Sequence, residues 1–80
     1  MNNMEKLNKI FGRVFGIKNT AEIEDSFGPD EIEGWDSLAH FDLVSELEEN
    51  FEISIAVEDV SRMYTIGDIK KMLKRYEVEL

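Results

Sequence analysis

Two runs of apolar residues at opposite ends of the chain constrain its fold more than any other feature. Leu7, Ile10, Phe11, Val14 and Phe15 advance by three, one, three and one, the spacing of one face of an α-helix. Ile66, Ile69, Met72, Leu73 and Tyr76 make a second such face near the other end. A strand cannot present either set on one side, because its successive side chains point to opposite faces. Lys6, Lys9 and Arg13 fall elsewhere on the first wheel, so its apolar stripe is narrow and must be covered. A chain of 80 residues can bury only a thin core, and most of its large apolar residues should be committed to packing. Residues 1–80 therefore read as a single domain. There is no cysteine, which excludes disulfides, thiol nucleophiles and thiolate metal sites and is compatible with a reducing compartment.

Between these ends the signals are mixed. Gly16 and the Asn19-Thr20 pair end the first helix, and residues 18–35, with Gly28-Pro29 and Gly34, read as a long loop. Ile23, Phe27 and Ile32 should pin it to the core, with one short helical turn after Thr20. A second helix follows Asp36; Leu38, Phe41, Val44, Leu47 and Phe51 form its predicted apolar face, broadened by Leu43, and Asn50 its predicted stop. The alternation in "FEISIAVEDV" resembles a strand, but a lone strand has nothing to pair with, so it is read as a loop entering a short helix over residues 57–62. Thr65 caps the last helix, and Asp68 three residues on completes a capping-box pattern. The expected fold is all-α, a four-helix bundle of three longer helices and one short one.

The charge of −9 is unevenly spread. Between Lys18 and Arg62 there is no lysine or arginine, and that stretch holds 14 of the 18 acids. Such a surface repels nucleic acid and anionic lipid and attracts basic protein surfaces. No apolar run approaches the length of a membrane span, and the N-terminal stretch lacks a signal-peptide core, so a cytoplasmic location is expected. Residues 25–36 match an EF-hand loop in length, but Phe27 and Pro29 stand where oxygen ligands belong and Asp30 where glycine is required. No specific metal site is expected; the clustered acids should hold divalent cations only diffusely, as screening charge.

Ser37 stands out. Asp36 already serves as the N-cap, which leaves Ser37 in the first helical turn, where free backbone N–H groups and the helix dipole favour an anionic group. The position suits a serine that carries a phosphodiester. A hydrolase reading would pair Ser37 with His40 one turn later, but there is no glycine-flanked nucleophile elbow and no evident oxyanion loop. Trp35 reads first as a core or loop anchor and second as a partner contact; His40 reads as an exposed helix residue or part of a docking face.

The order of Asp36-Ser37-Leu38, an acidic helix ending "LEENFEI", then "EDV" and "TIGDI" resembles the acyl carrier proteins, over residues 7–73. The resemblance implies that a phosphopantetheinyl transferase attaches phosphopantetheine from coenzyme A to Ser37, flanked by Asp36 and Leu38. It implies that acyl or aminoacyl groups ride on the arm's thiol as thioesters, delivered between loading and processing enzymes by a monomeric carrier with no catalysis of its own. Partners with basic surfaces are expected on the second and short helices, at Asp42, Glu46, Glu48, Glu49, Glu58 and Asp59, with Leu38 and Phe41 adding apolar contact and Trp35 and His40 standing beside Ser37. The chain departs from carriers of fatty acid synthesis at Ala39, usually an acid, at Trp35, usually small or acidic, and at Ala56, commonly proline. "WDSL" is more similar to discrete carriers of specialised pathways and to aminoacyl or peptidyl carrier domains. Phe11, Phe15, Phe41 and Phe51 are expected to fill the core and leave little room for a long acyl chain. The other reading is an unmodified acidic helical adaptor that binds basic proteins.

Overall fold

The computed structural model describes residues 2–80. It contains α1 (Asn3–Phe15), a single 3-10 turn (Thr20–Glu22), α2 (Ser37–Phe51), the one-turn α3 (Val57–Val60) and α4 (Ile66–Arg75). No strand occurs among the described residues, and the expected bundle of three longer helices and one short helix is what forms.

Local chemistry sets the helix ends. The Asn2 side chain accepts from the Glu5 amide at 2.8 Å, and Gly16 closes α1 in the left-handed region at φ 68°. The capping box of α4 forms as its sequence predicts, with Thr65 and Asp68 binding each other's amides. The two remaining first-turn donors of α4 are met from the long loop: Ile66 N–H donates to the Phe27 carbonyl and Gly67 N–H to the Asp25 carbonyl, each at 2.8 Å. The loop is thus held by backbone groups that α4 would otherwise leave unpaired. Gly34 lets it lie against the end of α1, since a β-carbon there would meet the Phe15 carbonyl oxygen at 2.1 Å.

The core takes Leu7, Ile10, Phe11 and Phe15 from α1, and Ile66, Ile69, Met72 and Leu73 from α4, as their spacing requires. Ile32 is buried with them, while Ile23 and Phe27 pack against the edge. The second helix is rotated from the expected face. Ala39, Leu43 and Leu47 are its buried residues, whereas Leu38 is 71% and Phe41 65% exposed. Phe41 therefore fills no core, and Phe51 is only partly buried. Nor does Asn50 stop α2: it stays helical and donates its side-chain amide to the Glu46 carbonyl at 2.8 Å, and the helix ends at Glu52 in the left-handed region.

The base-free middle of the sequence is not base-free in space. Lys70 reaches Asp25 at 2.6 Å, Arg75 reaches Asp59 at 2.6 Å, and Arg13 pairs with Glu46. The terminal helices bring their cations to three of the acids, so mutual repulsion across the acidic segment is partly relieved.

Candidate functional site

Ser37 opens α2 and is exposed. Asp36 precedes it in extended conformation and spends its side chain on the Ala39 amide at 2.8 Å, while its carbonyl accepts from His40 N–H at 2.9 Å. That leaves the amides of Ser37 and Leu38 without a hydrogen-bond partner among the described residues. The cap is therefore complete without the serine hydroxyl, and the hydroxyl stands beside two free N–H donors at the positive end of a helix dipole.

Under the first turn of α2 lies an aromatic column. Phe11 stacks on Phe15 at 5.9 Å, Phe15 on Trp35 at 4.9 Å and Trp35 on His40 at 6.1 Å between ring centroids. Trp35 is only 4% exposed, so the partner-contact reading fails and the anchor reading holds: the indole is part of the core. Its Nε1–H donates to His40 Nδ1 at 3.0 Å. An indole nitrogen can only donate, so Nδ1 must be the accepting nitrogen and Nε2 carries the proton, which it donates to the Val60 carbonyl at 2.9 Å. His40 is half-buried and both its ring nitrogens are occupied. Of the two readings made from sequence, an exposed helix residue or part of a docking face, the first is not met, and His40 has no free nitrogen with which to act as a base toward Ser37.

The predicted docking acids separate into two groups. Asp42, Glu49 and Glu58 are exposed. Glu46 is half-buried and paired with Arg13, and Glu48 accepts from the Ile55 amide at 2.8 Å, fastening the segment after α2. Asp59 is buried, a correction to its expected place on the docking face. Arg75 and the Tyr76 hydroxyl both donate to it, at 2.6 and 2.7 Å, and these hydrogen bonds hold its carboxyl below the usual carboxylate range. Its charge is neutralised inside the protein and is not offered to a partner.

Beside Ser37 an apolar groove runs between α2 and α3, bordered by Phe41, Val57, Val60, Met63 and Tyr64. Val57, at 81% exposure, and Tyr64 join Leu38 and Phe41 as large apolar residues in water. Sequence reasoning missed Val57 and Tyr64. Each reads as an ordinary packing residue, and the only signal was their position at the start of, and just after, a helix too short to bury two faces.

No family model matches the sequence. Among solved structures, a Mycobacterium tuberculosis protein assigned as an acyl carrier protein superposes with a TM-score of 0.78 at 28% identity, covering 90% of this chain and 95% of that one. The solution NMR structure of a holo acyl carrier protein from Geobacter metallireducens gives a TM-score of 0.71 at 26% identity, over 100% of this chain and 97% of that one. The second match spans the whole of this chain, and the two likenesses support a family relationship between this chain and the acyl carrier proteins.

Proposed function

We propose that this chain is a carrier that holds acyl or aminoacyl intermediates as thioesters on a phosphopantetheine arm attached to Ser37. One observation carries the reading: on an acyl-carrier-like fold, Ser37 is exposed in the first turn of α2 behind a cap that does not need it. The family likeness supports a carrier over a catalyst, and the holo state of one related structure supports a prosthetic group. The chemistry of attachment fits the site. A transferase moves the phosphopantetheinyl group from coenzyme A to the serine oxygen, forming a phosphodiester and releasing 3′,5′-adenosine diphosphate; the serine proton is lost to the transferase or solvent. The new phosphate would lie at the α2 N-terminus, where the Ser37 and Leu38 amides favour negative charge.

No helix among the described residues is long and apolar enough to cross a membrane. Basic partners would meet Asp42, Glu49 and Glu58 and cover Leu38 and Phe41. The cargo and the enzymes that load and consume it belong, in this reading, to a specialised pathway, because Trp35 and Ala39 fill with packing residues the positions flanking the serine motif.

Intact mass spectrometry tests the proposal. Incubated with a broad-specificity phosphopantetheinyl transferase and coenzyme A, the wild type should gain one phosphopantetheine and Ser37→Ala none. No gain on the wild type would leave the unmodified adaptor as the better reading.

A further inference from the structure

We infer that His40 is a positioning residue that fastens α3 over the flank of Ser37 and so sets the docking surface and groove beside the attachment serine. The inference rests on the proposed role of Ser37 for its consequence, but not for the contact itself.

The reason lies in how little apolar burial holds α3. It is a single turn of four residues. Val57 points into water, Val60 is half-buried, and the one buried residue is the charged Asp59. A helix this short has no independent stability, so its place is set by what grips it. On the α4 side the Tyr76 hydroxyl accepts from the Ala56 amide at 2.9 Å and donates to Asp59, which Arg75 also binds. On the α2 side the polar contact to α3, among the described residues, is His40 Nε2–H to the Val60 carbonyl. Val60 is the last residue of the turn, so its carbonyl is one that the helix itself leaves free.

His40 is in turn held by its other nitrogen. The Trp35 N–H fixes which nitrogen accepts, and the stacked indole fixes the ring plane. The chain of donors runs one way, from the core through Trp35 and His40 to the end of α3. Since His40 lies three residues after Ser37, one turn of α2 carries both the attachment serine and the grip on the opposite wall of the groove. A partner that docks across α2 and α3 meets a preformed surface only while this bond holds.

The experiment compares wild type with His40→Phe, His40→Gln and Trp35→Phe in the full chain. Phenylalanine keeps the stacking and removes both hydrogen bonds. Glutamine presents an acceptor and a donor one carbon apart, as the imidazole does. Trp35→Phe removes the donor that orients the ring together with part of the buried indole's packing, so its α3 amides are read relative to its core amides. Amide hydrogen exchange, read on the unmodified protein, should show the Val60, Ser61 and Arg62 amides exchanging about tenfold faster in His40→Phe, with the core amides of α1 and α4 unchanged. Glutamine should restore most of that protection, and Trp35→Phe should give an intermediate value. Transferase kinetics then read the consequence: KM for the carrier should rise several-fold in His40→Phe with kcat unchanged, and fall back in His40→Gln. Equal acceleration at all amides, or an unchanged α3 in a folded His40→Phe, would overturn the assignment whether or not Ser37 is modified. A loosened α3 with KM unchanged would overturn its role at the Ser37 site. If His40→Phe does not fold, the ordering of His40→Gln and Trp35→Phe decides.

Discussion

Leu43→Ala removes a side chain with no exposed surface from the middle of α2, out of the core cluster that it shares with residues of α1 and α4. The loss combines transfer of the missing methyl groups with the cavity they leave, about 2–5 kcal/mol for a buried leucine. A domain of 80 residues is stable by about 4–12 kcal/mol at the usual value per residue, so this one change removes a large share. At about 4–8 °C per kcal/mol, a loss near the middle of the range lowers Tm by roughly 14–28 °C. Leu38→Ala and Phe41→Ala make the opposite case. Each side chain is about two-thirds in water already, so little apolar area is left to lose, and the cost should stay under about 1 kcal/mol. Urea unfolding followed by the fluorescence of Trp35, the single tryptophan and a buried one, reads all three variants. The midpoint of Leu43→Ala should fall far below the other two with the slope unchanged. If Leu38→Ala or Phe41→Ala costs as much as Leu43→Ala, α2 is turned as its sequence spacing suggests and the groove beside Ser37 has been assigned to the wrong face.

Two further outcomes are expected. The Asp59 carboxyl is held below its unfolded value, so its stabilising contribution is complete above about pH 5 and is lost as pH falls through the unfolded and then the folded-state value; the difference in urea midpoint between wild type and Asp59→Asn should be flat from neutral pH to about pH 5 and shrink below that, and a difference that widens on acidification would contradict the Arg75 and Tyr76 contacts. Asp42→Asn, Glu49→Gln and Glu58→Gln should each slow loading by a transferase modestly, as exposed pairs worth on the order of 1 kcal/mol or less, with the effect vanishing at high sodium chloride, and a rate indifferent to both charge and salt would remove the acidic docking face.

The two end helices were legible because each has a narrow apolar stripe with charges on its other faces, and α4 carries its own capping box. The exposed place of Ser37 behind a complete cap was legible because capping is local: Asp36 satisfies the helix start within four residues and does not need the serine hydroxyl. The inner face of α2 was not. Its apolar residues run around the helix, and a stripe of Ala39, Leu43 and Leu47 at steps of four is masked by the larger Leu38 and Phe41. Size misleads there, since the residues held in water are bigger than the alanine that is buried. The ion pairs were invisible for another reason: Arg13–Glu46, Lys70–Asp25 and Arg75–Asp59 join positions 33, 45 and 16 residues apart, and only the folded path of the chain brings them together.

Ala39 shows how packing and recognition are confounded at this site. Read as a sequence, it is the place where an acid beside the serine is missing, and the absence looks like a choice of partner. In the fold it is 7% exposed and belongs to the core with Trp35 and Leu43. A carboxylate there would lose its hydration, and its own amide is already taken by Asp36, so no free N–H of that residue is left to hold it. The burial of Trp35 beneath the first turn of α2 and the small residue above it therefore belong to one arrangement: the indole stacks on Phe15, reaches His40, and leaves no depth for an acid at position 39. The nearest exposed acid after Ser37 is Asp42, more than a turn along, so the negative surface begins farther from the serine and the apolar pair of Leu38 and Phe41 lies between them. On the proposed function, an enzyme that reaches Ser37 along α2 meets the hydrocarbon of Leu38 and Phe41 before the charge of Asp42, and it is this order, imposed by the core, that distinguishes the surface on that side of the serine.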